Sequence, residues 1–572
     1  MPVFLPQLGG ILLITLAACA AHGVEVDLQR FIPADCYAVV EIPDGGQFVA
    51  AYDALRVDER LMRFPEYAAF LASAPGQQLR AGLRFLETRF ECSFPAFAQR
   101  ILNGPISIAA VASSRARPAL LAIARPRDGK TVTEFLQIVA FANGVGTFQP
   151  NEGDIFRLGE FAGAWRDGLL WICSDEDVVR RSMSLREEDS LAKQPNHIAM
   201  SPVTTTRPLA SVFVDCARTK TLPNIPLARL NERFAEPLPS LLFGGLRDTL
   251  VGASSLRAEL RVAGDAVALE VVSNPLPPNA FAPGFFPVVT PSRSADSTLT
   301  ELAAFSLRRD LVAWWEGRET LLLDSARAGV ARFQVDFGNL TGGLDFAEDV
   351  LAHLLTDGRF LVFSPTVGAE PPPTPLLPYF AIVVPVRDGG TLYEHLRLAF
   401  QTAISFINLD RAPRVGAPRY FLESSEHHGT HLTLARPSPP DADAAPGLAH
   451  NFAPAISVCR DHLIFASHEH AARALIDQLL KETEGETRAT NELRVAAQPL
   501  AELLKRNLTP LTAQGVLEGK SVEKARSDLI ALVTLIEFFR ELRVAADRTP
   551  DDRLALTLRL SIAPPASSRE SF

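Results

Sequence analysis

The feature that most constrains this chain is a long-range echo within its own sequence. PALLAIARPRDGKTVTEFL at Pro118–Leu136 returns as PYFAIVVPVRDGGTLYEHL at Pro378–Leu396. RDGLLWICSDEDVVRRSM at Arg166–Met183 returns as RDHLIFASHEHAARAL at Arg460–Leu475. A third pair, AELRVAGDAVALEVVS at Ala258–Ser273 and RELRVAADRTPDDRLALTLRLS at Arg540–Ser561, keeps the same order. A unit of roughly 250 residues has the size of a domain, not of a solenoid turn. The pattern therefore predicts a tandem duplication, with repeats over residues 32–273 and 298–563. A proline-rich linker at 274–297 joins them and a polar tail at 564–572 closes the chain.

Within each repeat, short apolar runs end in turn residues and lead into periodic apolar stripes. Ala119–Ile123 runs into Arg127-Asp128-Gly129, with Thr131 expected to cap the helix that follows. Leu169–Cys173 runs into Ser174-Asp175-Glu176-Asp177, where Ser174 is the expected cap and the carboxylates favour the positive end of the helix. Ser467-His468-Glu469-His470 holds the matching place in the second copy. One helix is expected over Glu66–Phe90, a loop over Ala513–Lys524, and a long helix over Val522–Arg543. Strands come in pairs with only occasional helices between them. That spacing predicts an α+β fold, each repeat a mixed or antiparallel sheet covered by helices on one side.

Composition narrows the class. Of 572 residues, 47% are hydrophobic and 21% charged, as in ordinary folded chains. A net charge of -10 without a basic cluster argues against a nucleic-acid partner. Leu8–Ala21 is uncharged and apolar, too short for a comfortable membrane span, and reads with residues 1–23 as an export signal. Leu16-Ala17-Ala18-Cys19 resembles the lipobox of bacterial lipoproteins, which implies a lipid on Cys19; Ala21-His22-Gly23 offers an ordinary cleavage site instead. Met1–Gly10 lacks the usual basic residues of such a leader. Cys36, Cys92, Cys173, Cys216 and Cys459 form no CxxC. One disulfide in the first half, Cys36–Cys92 or Cys173–Cys216, stays open.

Candidate chemistry is sparse. His427, His428 and His431 crowd one segment, and His462, His468 and His470 flank the echoed junction. If the segments meet, His427, His431, His462 and His470 form the one candidate metal set, of the kind a metal-assisted hydrolase needs. Asp128, Asp388, Asp167 and Asp461 recur beside arginines, and the stronger reading is that each makes a turn. Gly244-Gly245 and Gly342-Gly343 lack the strand–loop–helix context of a phosphate cradle. Trp314-Trp315 could line an apolar groove, although adjacent helical positions predict one core and one partly exposed ring.

Pro33-Ala34-Asp35 before a short strand, and the loose Asp-x-Leu theme at Asp167–Arg181 and Asp461–Ala474, resemble uncharacterised exported planctomycete-type proteins with a domain of unknown function, the DUF3352 group. The resemblance implies a cell-envelope location and carries no catalytic residues. The expected function is a non-enzymatic exported protein of the periplasm or outer membrane. It would bind or scaffold an envelope protein or ligand through two related domains, with no cofactor and with the membrane touched only through the N-terminal lipid. The alternatives are the hydrolase and a carrier of an apolar ligand in an interdomain cleft.

Overall fold

The computed structural model describes residues 27–563, apart from internal stretches, chiefly 143–152, 201–206, 223–231, 277–283, 286–292, 295–297, 367–371, 441–445 and 485–490. The signal, Cys19, most of the linker and the tail lie outside the described residues. The chain is an α+β protein that packs as two compact units. The first takes the described residues before position 229 together with Ala253–Leu276; the second takes those of 229–252 and 277–563.

In the first unit, β1 (Ala38–Ile42), β2 (Ile106–Val111), β3 (Ala119–Ala124), β4 (Ile155–Leu158), β5 (Phe161–Arg166), β6 (Leu169–Cys173), β7 (Ala210–Asp215), β8 (Ser255–Ala263) and β9 (Ala266–Ser273) form one sheet. Its order is β9-β8-β7-β1-β2-β3-β6-β5-β4, and every ladder is antiparallel. Helices α1 (Ala74–Phe90), α2 (Phe94–Leu102) and α3 (Gly129–Ala142) bring Phe97, Ile101, Phe135 and Leu136 against Leu170 and Ile172. The opposite face packs Leu121, Ile123, Trp171 and Cys173 against Val178 and Val179 of α4 (Glu176–Met183).

Helices thus cover both faces, where one covered side was expected. The reason is legible in the strands themselves. ALLAIA and LLWIC are continuous apolar runs, and their side chains are buried on both faces apart from Leu120, so apolar cover is needed on each side. The expected helix over Glu66–Phe90 is broken at Ser73, which ends Pro65–Ala72 and caps α1 by accepting from Gly76 N. Pro75 supplies no amide for a continuous helix, so the break falls there.

In the second unit, α5 (Pro237–Gly252) precedes β10 (Glu301–Arg308), α6 (Leu311–Glu316), β11 (Asp357–Phe363), β12 (Tyr379–Pro385), α7 (Gly389–Arg411), β13 (Tyr420–His427), β14 (Thr430–Pro437), β15 (Ala455–Cys459), β16 (His462–Ala466), α8 (Glu469–Lys481), β17 (Asn491–Ala496), α9 (Val522–Glu537), β18 (Phe539–Arg548) and β19 (Leu554–Ile562). The sheet runs β19-β18-β17-β10-β11-β12-β16-β15-β14-β13, again antiparallel throughout. Leu475, Ile476 and Leu479 of α8 pack on one face against Ala381, Val383 and Ile464. Phe400 and Ile404 of α7 pack on the other against Tyr420, Ala435 and Ile456.

Three further expectations change here. The stretch 513–524 is not a loop: a helix covers Leu508–Leu517 before α9 begins at Val522. The long helix stops at Glu537 and Phe539 already opens β18. The unit boundary is not a single linker either. Helix α5 belongs to the second unit, where Trp314 Nε1 donates to Ser240 Oγ at 3.2 Å and Arg309 donates to the carbonyls of Leu241 and Leu242. Phe285, inside the expected linker, is buried against Gly244 and Gly245, whose missing side chains make room for its ring.

Candidate functional site

The recurring aspartates sit where strands hand over to helices. Asp128 Oδ1 accepts from Thr131 N at 3.0 Å, and Thr131 donates its hydroxyl to Oδ2. Asp388 repeats this with Thr391, whose amide lies at 3.4 Å and hydroxyl at 2.8 Å. Asp, not the expected Thr131, is therefore the cap. Burial pushes the Asp128 carboxyl up, but the Thr131 hydroxyl and amide outweigh it and hold it below the usual range. The Thr391 hydroxyl and amide do the same for Asp388. Carboxylates spent on two donors each are structural caps and poor proton acceptors.

The second pair of junctions follows β6 and β16. Asp167-Gly168 and Arg460-Asp461 are tight hairpin turns with positive φ at both positions, so Asp167 opens its turn while Asp461 closes the other. After each strand comes a serine that was expected to cap. It does something else: Leu120 N donates to Ser174 Oγ at 3.4 Å, and Phe380 N donates to Ser467 Oγ at 3.0 Å, tying each junction to the neighbouring strand. The next residue is the cap. Asp175 Oδ1 accepts from Asp177 N at 3.0 Å, and His468 Nδ1 accepts from His470 N at 3.3 Å.

The four histidines proposed as one metal set are not brought together. His431 pairs across β13–β14 with Glu426 and lines a polar cleft of about 340 Å³ with Tyr393, Glu394 and Glu423. His462 points Nδ1 at the carbonyl of Arg460, 2.8 Å away. His470 lies beside His468, whose ring stacks on Tyr379 at 4.4 Å. Only His427 joins a group with ligand-type side chains, and its companions are His428 and Asp477. That is the one such group among the described residues.

This group is assembled by a hairpin and a helix. His427 ends β13, while His428 and Gly429 make the turn with φ of 48° and 78°. Asp477 comes from α8, whose inner face is locked by Leu475 and Ile476. His427 Nε2 is 2.7 Å and His428 Nε2 3.3 Å from the same oxygen, Asp477 Oδ1. Arg473, one helical turn before Asp477, places Nη1 3.4 Å from His427 Nδ1 and donates through Nη2 to Ser425 Oγ at 2.9 Å. A guanidinium only donates, so His427 Nδ1 accepts and its proton resides on Nε2, directed at Asp477. Asp477 carried no signal of its own in the sequence. Its spacing from Arg473 on the outer face of an amphipathic helix was the sole hint.

The remaining candidates are structural. Trp314 and Trp315 are both buried, so neither ring lines an open groove. Gly342 and Gly343 take φ of 78° and 107° at the end of the helix Asp324–Thr341, where a left-handed residue closes the last turn. Cys36, Cys92, Cys173, Cys216 and Cys459 are free thiols, so neither disulfide forms. Burial, with the Asp35 charge, pushes the Cys36 thiol up to about 12, which leaves it unreactive. Among the described residues no helix is long and apolar enough to cross a membrane. No protein-family model, curated protein or solved structure matches the chain.

Proposed function

We propose that the protein is a tandem duplication acting as a non-enzymatic exported envelope protein, and that it binds an apolar partner surface through its second domain. The duplication is supported by topology. Reading from β9 in one sheet and β19 in the other, the strands correspond one for one through β4 and β14, and β13 is added at the far edge. Both orders interrupt chain sequence at the same steps. Asp128 and Asp388, Ser174 and Ser467, and Asp175 and His468 then fall at matching places with matching bonds.

The binding role rests on one observation, an apolar row on the second sheet whose centre is exposed. Phe305, Phe360, Ile382 and Phe465 stand directly opposite one another across β10, β11, β12 and β16. Residues paired in antiparallel ladders share a face, so this is one continuous stripe. Phe400 of α7 covers its Phe465 end at 6.5 Å, while Phe360 and Ile382 each stay 42% exposed. The corresponding Ile108–Ala122–Ile172 row of the first sheet is covered, with Ala122 and Ile172 each at 3%. An apolar pair, Phe360 and Ile382, left open on one sheet where the matching row of the other is closed supports an interaction surface centred on those two side chains. The placement outside the cytoplasm rests on the uncharged Leu8–Ala21 stretch ending at Cys19.

The test is capture from intact envelopes by wild-type protein and by the double variant Phe360→Asp/Ile382→Asp. Loss of a specific crosslinked species in the variant, with its melting behaviour unchanged, is the expected outcome. Equal capture by both proteins would overturn the binding face.

A further inference from the structure

We infer that His427, His428 and Asp477 form a binding site for a divalent transition-metal ion of the zinc class, with its remaining coordination open to water. Two imidazole Nε2 atoms converge on one carboxylate oxygen, at 2.7 and 3.3 Å, and all three ligand atoms lie within 4.8 Å of one another. Ligands held at roughly 2.0–2.2 Å from a tetrahedral ion stand about 3.4 Å apart, so small side-chain rotations complete the set. Two nitrogens and one oxygen select zinc-class ions over calcium or magnesium, which require oxygen-rich cages.

The scaffold is built for this. The hairpin turn fixes both histidines relative to each other, and the buried face of α8 fixes Asp477. His428 is 63% exposed on its side chain, which leaves the ion an entry path and room for a water ligand. Without the ion, the proton on His427 Nε2 occupies the ligand direction. Metal binding at Nε2 requires the ring's single proton to move to Nδ1, which changes that nitrogen from acceptor to donor while the imidazole stays neutral. Arg473, now 3.4 Å from His427 Nδ1, must then turn away, and its bond to Ser425 Oγ offers it an anchor on release. Arg473 is thus a gatekeeper that weakens the site.

Equilibrium dialysis of the purified full chain against Co2+ alone, followed by visible spectroscopy, tests the assignment. The expected result is one ion per chain with the absorption of a low-coordinate nitrogen–oxygen site. His427→Ala and Asp477→Asn should each weaken binding at least about tenfold, as loss of one ligand from a three-ligand site demands. Arg473→Met should tighten it several-fold. His462→Ala and His470→Ala should leave it unchanged. His428→Ala, at an exposed turn, serves as the ligand variant should another fail to fold. Absence of stoichiometric Co2+, or binding indifferent to His427→Ala, His428→Ala and Asp477→Asn, would overturn the site.

Discussion

Asp175 and His468 do one backbone job with different chemistry. Each follows a serine that ties its junction to the neighbouring strand, and each accepts the amide two residues on at the start of a helix. A carboxylate accepts through either oxygen. An imidazole accepts through Nδ1 only while that nitrogen is unprotonated. The comparison teaches that a cap is specified by acceptor geometry, and that the choice of acceptor sets how the unit responds to acid.

The largest expected effect follows from this contrast. Burial, and then the charge of His470, depress the His468 imidazole to about 4. Its unfolded counterpart titrates near 6.5, so unfolding takes up a proton between those values. Stability of the second unit is therefore intact above pH 6.5 and falls as pH drops toward 4, by up to about 3 kcal/mol. His468→Asn keeps an acceptor that does not titrate. Urea midpoints at pH 7 and pH 4.5 should converge in that variant; an unchanged acid limb would break the contrast. His197, likewise depressed to about 4 by burial, gives the first unit a limb of the same sign that the variant leaves in place.

The Arg-Asp-Gly junctions sharpen the comparison at a smaller scale. A Cβ at Gly389 would stand 2.7 Å from Val458 Cγ1 and 3.3 Å from Val386 Cγ2, whereas one at Gly129 meets only the Trp165 ring edge, at 3.3 Å and beyond. Gly389→Ala should therefore cost about 1–3 kcal/mol and Gly129→Ala under about 1 kcal/mol in denaturant melts, the difference being overpacking. A reversed ranking would mean the second junction is the looser one. Smaller still is the loss of the caps. Asp128→Ala and Asp388→Ala should each cost about 1 kcal/mol, with Asp128 the dearer because its amide bond is 3.0 Å against 3.4 Å. Equal melts for wild type and Asp128→Ala would remove the cap assignment.

Much of this architecture was legible because strands and turns leave local marks. Asp167 and Asp461, read as turns, do make the hairpin turns before Leu169–Cys173 and His462–Ala466. What went unseen has a common cause. Tyr420–His427 is a strand whose middle, Leu422–Ser425, is mostly solvent-exposed and polar, so it shows no apolar period, yet it carries His427 to α8. With that strand unread, His427 was grouped with His431, which points into a different cleft. The serines were read as caps because Ser is a favoured cap residue, and only the register of β3 with β6 and β12 with β16 revealed their cross-strand role.

Residue order alone determined the α+β pattern, since apolar runs, Asp-Gly turns and capping acceptors act over a few neighbours. Tertiary structure decided which unit claims α5, which sheet face stays bare at Phe360 and Ile382, and which acid meets His427. Those outcomes depend on partners far apart in the chain. They are chosen by burial and strand register, which no local pattern encodes.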